Sequence, residues 1–333
     1  MHDDDSSISE STEGGFQLAG LQEIGRMMER PGRRTRTIQD ESRVSERLRD
    51  GLNHYVASVS GAARIKGFMA QPTNDESVDA SGSAVDQLAV SAFDARRSAM
   101  DGPPRDVVLE PAVPILYFGD RQAYASSPRR IITVALNPSK AEFPSDDPFA
   151  RFPLAADLNE PNAAYLAALD TYFKTNPYRR WFSSFEALLE GLDASYYPGG
   201  ESTALHTDLC SPVATDPTWS RIGAEARSGL IEGGVPLWHQ LVEVLAPHIV
   251  LISVAREHLK RIEFESSEPF EISRFEAERR RPYVTEGRWV DVGRGERSLL
   301  VFGRAANQPF GLVSHMQKTG IGGRIAACLR QEG

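Results

Sequence analysis

Apolar positions along this 333-residue chain fall into two rhythms. The run 131–136 is nearly all apolar and rich in β-branched residues, and 204–209, 249–254 and 299–302 are three further strand candidates. Such runs predict strands buried on both faces of a sheet. Between them the apolar residues recur at helical spacing. Trp181, Phe185, Leu188, Leu189 and Leu192 line one face of a helix, and Leu237, Trp238, Leu241, Val242 and Leu245 line another. A further helix is expected over 162–173, broken by Asn176-Pro177, and a last one begins near Gly320. Strands alternating with helices predict an α/β fold: a three-layer α/β/α domain with a short, mainly parallel sheet, spanning 111–333. The arginine-rich stretch 263–291 reads as an insertion or β-extension.

Upstream the pattern differs. Residues 1–25 start with Asp3-Asp4-Asp5 amid serine and glycine and are expected to form a mobile acidic tail. Residues 26–110 are expected to form a helical N-terminal extension. Val44, Leu48, Leu52, Tyr55, Val56 and Val59 give one amphipathic helix, and Val85, Leu88, Ala89, Ala92 and Phe93 another, with a polar loop at 71–83 between them. The arginines of the first helix are either a solvated face or a phosphate-tracking arm, and interspersed acidic residues favour the solvated face.

Composition then narrows the class. Apolar content of 41% and charged content of 25% are those of a globular protein. No apolar run approaches the roughly 20 residues that span a bilayer, so no membrane partner is expected. The N-terminus has no signal-peptide core, and two cysteines, Cys210 and Cys328, suit a reducing, cytoplasmic setting and cannot make a four-cysteine metal site. The net charge of -9 argues only weakly against nucleic acid, because phosphate binding depends on the local face.

Candidate chemistry gathers at strand ends. Pro138 stops the first strand and leaves Asn137 at the carboxyl edge, where open α/β sheets bind ligands. Asp208 ends the second strand, and Ser314-His315 follow the fourth. Each has a plain alternative: Asn137 as a helix cap, His315 as a surface histidine. His206 and Asp208 share a strand face but lack a third metal ligand at a fitting spacing. No Walker loop and no Gly-x-Ser-x-Gly elbow is present, which leaves a nucleotide or ester hydrolase without direct support.

Ala135-Leu136-Asn137-Pro138-Ser139 resembles the first catalytic motif of the uracil-DNA glycosylase superfamily, nearest its thymine/mismatch-specific branch. Thr207-Asp208-Leu209-Cys210-Ser211-Pro212 is similar to the strand end that recognises the pyrimidine. Ser314-His315-Met316-Gln317-Lys318-Thr319-Gly320 sits where a His-Pro-Ser-like DNA-binding loop would be expected. The resemblance covers 116–329. It implies a monofunctional DNA glycosylase with no cofactor and no obligate protein partner, which flips out a pyrimidine and hydrolyses its N-glycosidic bond. Asn137 would hold the attacking water and His315 would stabilise the departing base. Phe143, with Phe149 as fallback, would stack on the base, and Ser139 and Asp208 would shape its pocket. Ser314, Met316, Gln317, Lys318 and Thr319 would contact DNA. Ser139 and an acceptor-only Asp208 depart from the family pattern and point toward a 5-modified cytosine. That substrate suits a phage-defence branch acting on glucosylated hydroxymethylcytosine. Uracil or thymine-mismatch repair, or a catalytically inactive DNA binder of the same fold, are the alternatives.

Overall fold

The computed structural model describes residues 76–332 apart from 157, 277–280, 294 and 296. The expectations for the acidic tail and the 44–59 helix lie outside those residues. The described chain opens with helix α1 (Glu76–Asp101). Its Val85, Leu88, Ala89, Ala92 and Phe93 are buried in the same core as the sheet. The helix starts inside the stretch expected to be a loop. Once the apolar face downstream is packed, each upstream residue adds a backbone bond at little nucleation cost.

Helix α2 (Arg121–Ala125) leads into strand β1 (Ile131–Ala135), and α3 (Ala163–Asp170) and α4 (Arg179–Glu190) follow. The side chain of Asn162 caps α3 by accepting from the Tyr165 N–H at 3.1 Å. Strands β2 (Ala194–Ser195) and β3 (Ser202–Asp208) precede α5 (Ala224–Leu245). Strand β4 (Ile249–Ile252) comes next, and β5 (Glu265–Ser266), β6 (Phe270–Phe275) and β7 (Tyr283–Asp291) form the expected β-extension. Strand β8 (Arg297–Gly303) and helix α6 (His315–Glu332) close the chain.

The sheet order is β2-β3-β1-β4-β8-β7-β5, with β6 also paired to β7. Pairing is parallel from β2 through β8, and β7 is antiparallel to β8. Every residue of β1 and β4 is buried, so both faces of the sheet are covered. Neighbouring residues of β3 show what covers them. His206 meets Phe182 and Phe185 of α4 at 5.1 and 5.7 Å between ring centres, whereas Thr207 accepts from the Trp238 indole of α5 at 3.1 Å. Successive side chains alternate sides, so α4 and α5 lie on opposite faces. Helix α1 packs on α5 and α6 packs on α4, which completes a three-layer α/β/α body.

From β1 the chain crosses to β3 on one side; from β4 it crosses to β8 on the other. Connections that diverge from adjacent strands open a crevice at their carboxyl ends. Helix α5 reaches that end through one close approach. A Cβ on Gly234 would lie 2.1 Å from the Cys210 carbonyl oxygen and 2.5 Å from Ser211 Cα. Gly234→Ala should therefore force the helix off the loop after β3 and destabilise the protein by about 2 kcal/mol or more. A denaturant midpoint equal to wild type would contradict that close packing.

Candidate active site

A cavity of about 240 Å³ lies at the carboxyl ends of β1, β3 and β4. That is below the roughly 300–1,000 Å³ of pockets for drug-sized ligands and suits one small ring system. Residues 135–139, His206, Asp208, Ser253 and Glu142 supply walls, and Phe118, Tyr178, Trp181, Phe182 and Trp219 give it aromatic sides. Trp219 is buried, and its indole N–H has no partner among the described residues.

The backbone of Pro138 and Ser139 leaves β1 alongside Thr215, and this fixes the Asn137 amide. The Thr215 hydroxyl donates to the Pro217 carbonyl at 3.1 Å, so its lone pair is left to accept from Asn137 Nδ2 at 2.9 Å. The Pro138 carbonyl accepts from the same nitrogen at 2.7 Å, and the Val213 carbonyl lies at 3.4 Å. With acceptors on the nitrogen side, the amide cannot flip without loss. Among the described residues Oδ1 accepts nothing. Asn137 thus has a fixed amide in the cavity wall, and it does not cap a helix.

Two carboxyl groups share the cavity. Glu142 ends a short 3-10 turn (Lys140–Glu142) and is buried. Burial pushes its carboxyl up to about 7, against the opposing pull of the Tyr172 hydroxyl, which donates to Oε2 at 2.5 Å, and of Arg151. Asp208 is 7% exposed, and its Oδ1 is buried without a hydrogen-bond partner. Burial first, and the Glu142 charge second, hold the Asp208 carboxyl well above the usual carboxylate range. An acceptor-only, ionised aspartate is therefore not what this wall favours. A neutral acid both donates and accepts.

His206 stands beside Asp208, with Nε2 3.8 Å from Oδ1, and its Nδ1 lies 2.7 Å from Thr133 Oγ1. Thr133 lies 2.5 Å from the Tyr196 hydroxyl. Burial lowers the imidazole to about 3, so it stays neutral and brings no charge against the Asp208 acid. Among the described residues no group of three or more His, Cys, Asp or Glu is placed to hold a metal ion.

Other expected site residues lie elsewhere. Ser139 does line the cavity, but its hydroxyl caps the 3-10 turn by accepting from the Ala141 N–H at 3.3 Å. Phe143 is buried against Phe152, stacked at 5.4 Å, and against Phe149 edge-on at 6.1 Å. Neither Phe143 nor Phe149 is a cavity wall, so the place expected of them is not the one they hold. His315 also lies outside the cavity walls. It is exposed at the start of α6, with Nε2 3.0 Å from Glu190 Oε2.

The loop expected at 314–320 is helix from His315 onward. Ser314 and Gln317 cap each other reciprocally: Ser314 N–H donates to Gln317 Oε1 at 2.8 Å, and Gln317 N–H to Ser314 Oγ at 3.3 Å. Lys318 is 4% exposed and donates to Ser184 Oγ and, at 3.1 Å, to the Pro309 carbonyl. It ties α6 to α4 and cannot meet a phosphate. Thr319 donates to Glu190 Oε2 at 3.3 Å, and Met316, 82% exposed, stays free at the surface. Lys318→Ala should cost about 1–3 kcal/mol of stability through its two lost hydrogen bonds between α6 and α4, although the Ser184 hydroxyl still donates to the Pro309 carbonyl at 2.5 Å. A denaturant midpoint equal to wild type would contradict that anchoring.

Comparison with family models, with curated proteins and with solved structures finds no match.

Proposed function

We propose that this cavity accepts a pyrimidine extruded from DNA and hydrolyses the bond between the base and its sugar. The observation that carries the reading is the Asn137 amide: its nitrogen is held by Thr215 and Pro138, and its oxygen is left to a water. An amide is a weak base, so it contributes by position. Glu142, on the same wall set and pushed up to about 7, is the group suited to take that water's proton. The small aromatic-sided volume suits a flat ring, and closing it over an extruded base offsets lost stacking. His315 has no part in this scheme.

The favoured base is a 5-modified cytosine of hydroxymethyl size, because Ser139 is small and Asp208 faces the ring; a glucosyl group on the same carbon would have to lie outside the cavity of about 240 Å³. Duplexes carrying uracil, a thymine mismatch, 5-hydroxymethylcytosine or its glucosylated form, each incubated with the protein, test the choice by mass analysis of the free base. Uracil release alone would shift the reading to repair. Duplex binding without any base release would favour a catalytically inactive binder of this fold.

Phosphate contacts are expected beside the cavity's aromatic rim rather than on α6. Arg179 and Arg180 are exposed next to Tyr178 and Trp181, and Arg179 lies 4.8 Å over the Tyr197 ring. Arg256, by contrast, is engaged with Glu286 at 2.9 Å. Arg180→Ala should weaken binding alike for all sequences and reduce the slope of log affinity against log salt by about one. An unchanged slope would remove Arg180 from the interface.

A further inference from the structure

Resting on the base-release reading above, we infer that Asp208 is the acid of the reaction, pairing with the amidine edge of a cytosine-type ring and passing its proton to ring N3. A neutral carboxylic acid is the two-point complement of that edge: its O–H meets the N3 lone pair, and its carbonyl accepts from the exocyclic amine. Asp208 has the placement this needs. It ends β3 in the cavity wall, it is 7% exposed, and its Oδ1 is buried with no partner. A buried unpartnered oxygen is costly and calls for a donor, which the exocyclic amine can supply. His206, kept neutral, backs the carboxyl at 3.8 Å without ionising it. The ionisable groups around Asp208 are Glu142, His206 and Cys210, with Tyr172 behind Glu142. None of them is a cation that would strip the acid of its proton.

The step balances. The Asp208 proton moves to N3, the bond between ring N1 and sugar C1′ breaks, and its electron pair leaves with the now neutral base. The water held by Asn137 bonds to C1′ and gives its proton to Glu142. The site ends with Asp208 ionised and Glu142 protonated, and transfer of one proton between them restores it. Uracil-type rings already carry hydrogen on N3 and take nothing from this route.

The test uses the full-length protein and two duplexes that differ only at the ring edge, one with 5-hydroxymethylcytosine and one with 5-hydroxymethyluracil. Asp208→Asn keeps a donor and an acceptor but has no proton to transfer. It should lose about 100-fold or more in kcat for the cytosine duplex, with duplex affinity kept within a few-fold. The ratio of cytosine-type to uracil-type release should fall by the same factor. In case the variant does not fold, the wild-type pH profile serves as well. Release from the cytosine duplex should fall at alkaline pH while release from its uracil counterpart should not. Equal cytosine release by Asp208→Asn, or identical pH profiles on the two duplexes, would overturn the assignment of Asp208. Wild type releasing no base from any duplex would instead sink the base-release reading itself.

Discussion

Replacing Asn137 by Ala should lower base release by at least about a hundredfold while duplex binding survives. The size follows from losing one preorganised polar group aimed at the reacting water, which typically costs 10²–10³ in rate. The fold should tolerate the change, because Asn137 is half-buried just beyond β1, the Thr215 hydroxyl still donates to the Pro217 carbonyl, and the Pro138 carbonyl still accepts from the Thr215 N–H at 3.2 Å. Asn137→Asp is the sharper control. A carboxylate there would face Thr215 Oγ1 and the carbonyls of Pro138 and Val213, all of them acceptors to the present nitrogen. It should be driven from its place and should fail to rescue the rate, although Asp is the stronger base. Full activity in Asn137→Ala, measured as free base per enzyme per minute, would leave the cavity without its water-holding group.

Glu142→Gln carries the second large effect, and it appears both in rate and in stability. If Glu142 takes the proton from water, wild-type release should rise with pH through about 7, the value to which burial pushes the carboxyl. The Gln variant should be slower by about 10²-fold and should lack that rise. The stability effect has the opposite sense. The unfolded chain releases this proton near 4.5, and the folded protein holds it to about 7. Glu142 therefore contributes fully below about 4.5, and that contribution is lost as pH climbs to 7, amounting to roughly 3 kcal/mol. Gln keeps the Tyr172 partner and has no charge to bury, so the variant should gain on wild type from pH 4.5 to 7 and keep the gain above. His206 acts the other way, its neutral form stabilising above 6.5 and losing effect as pH falls toward 3. It is common to both proteins and cancels in the difference. A variant-minus-wild-type stability that stays flat between pH 4.5 and 8 would mean that Glu142 is already solvated.

Much of the fold was legible because period and burial go together. The four apolar runs became β1, β3, β4 and β8, and the two strongest helical stripes became α4 and part of α5. Asn137 was legible for the same reason, since a proline after a buried strand must leave its neighbour at the sheet edge. The α6 residues misled. The pattern Ser-x-x-Gln is a helix-start signal, and read as one it places His315 in a helix and occupies Ser314 and Gln317 with each other. Lys318 carries no sequence sign that its ammonium is buried, because that depends on Ser184 and Pro309, 134 and 9 residues away. Glu142 and Trp219 were missed because neither occupies a strand end, and only folding of the segments after β1 and β3 carries them to the cavity.

By itself the sequence determined the α/β alternation, the buried strands and the position of an amide at a strand terminus, because these follow from local chain periodicity and proline geometry. The tertiary structure decided which polar groups share one cavity and in what ionisation state. Proximity of Glu142 to Asp208 and the removal of both from water arise between distant segments, and burial free energy has no counterpart in spacing along the chain.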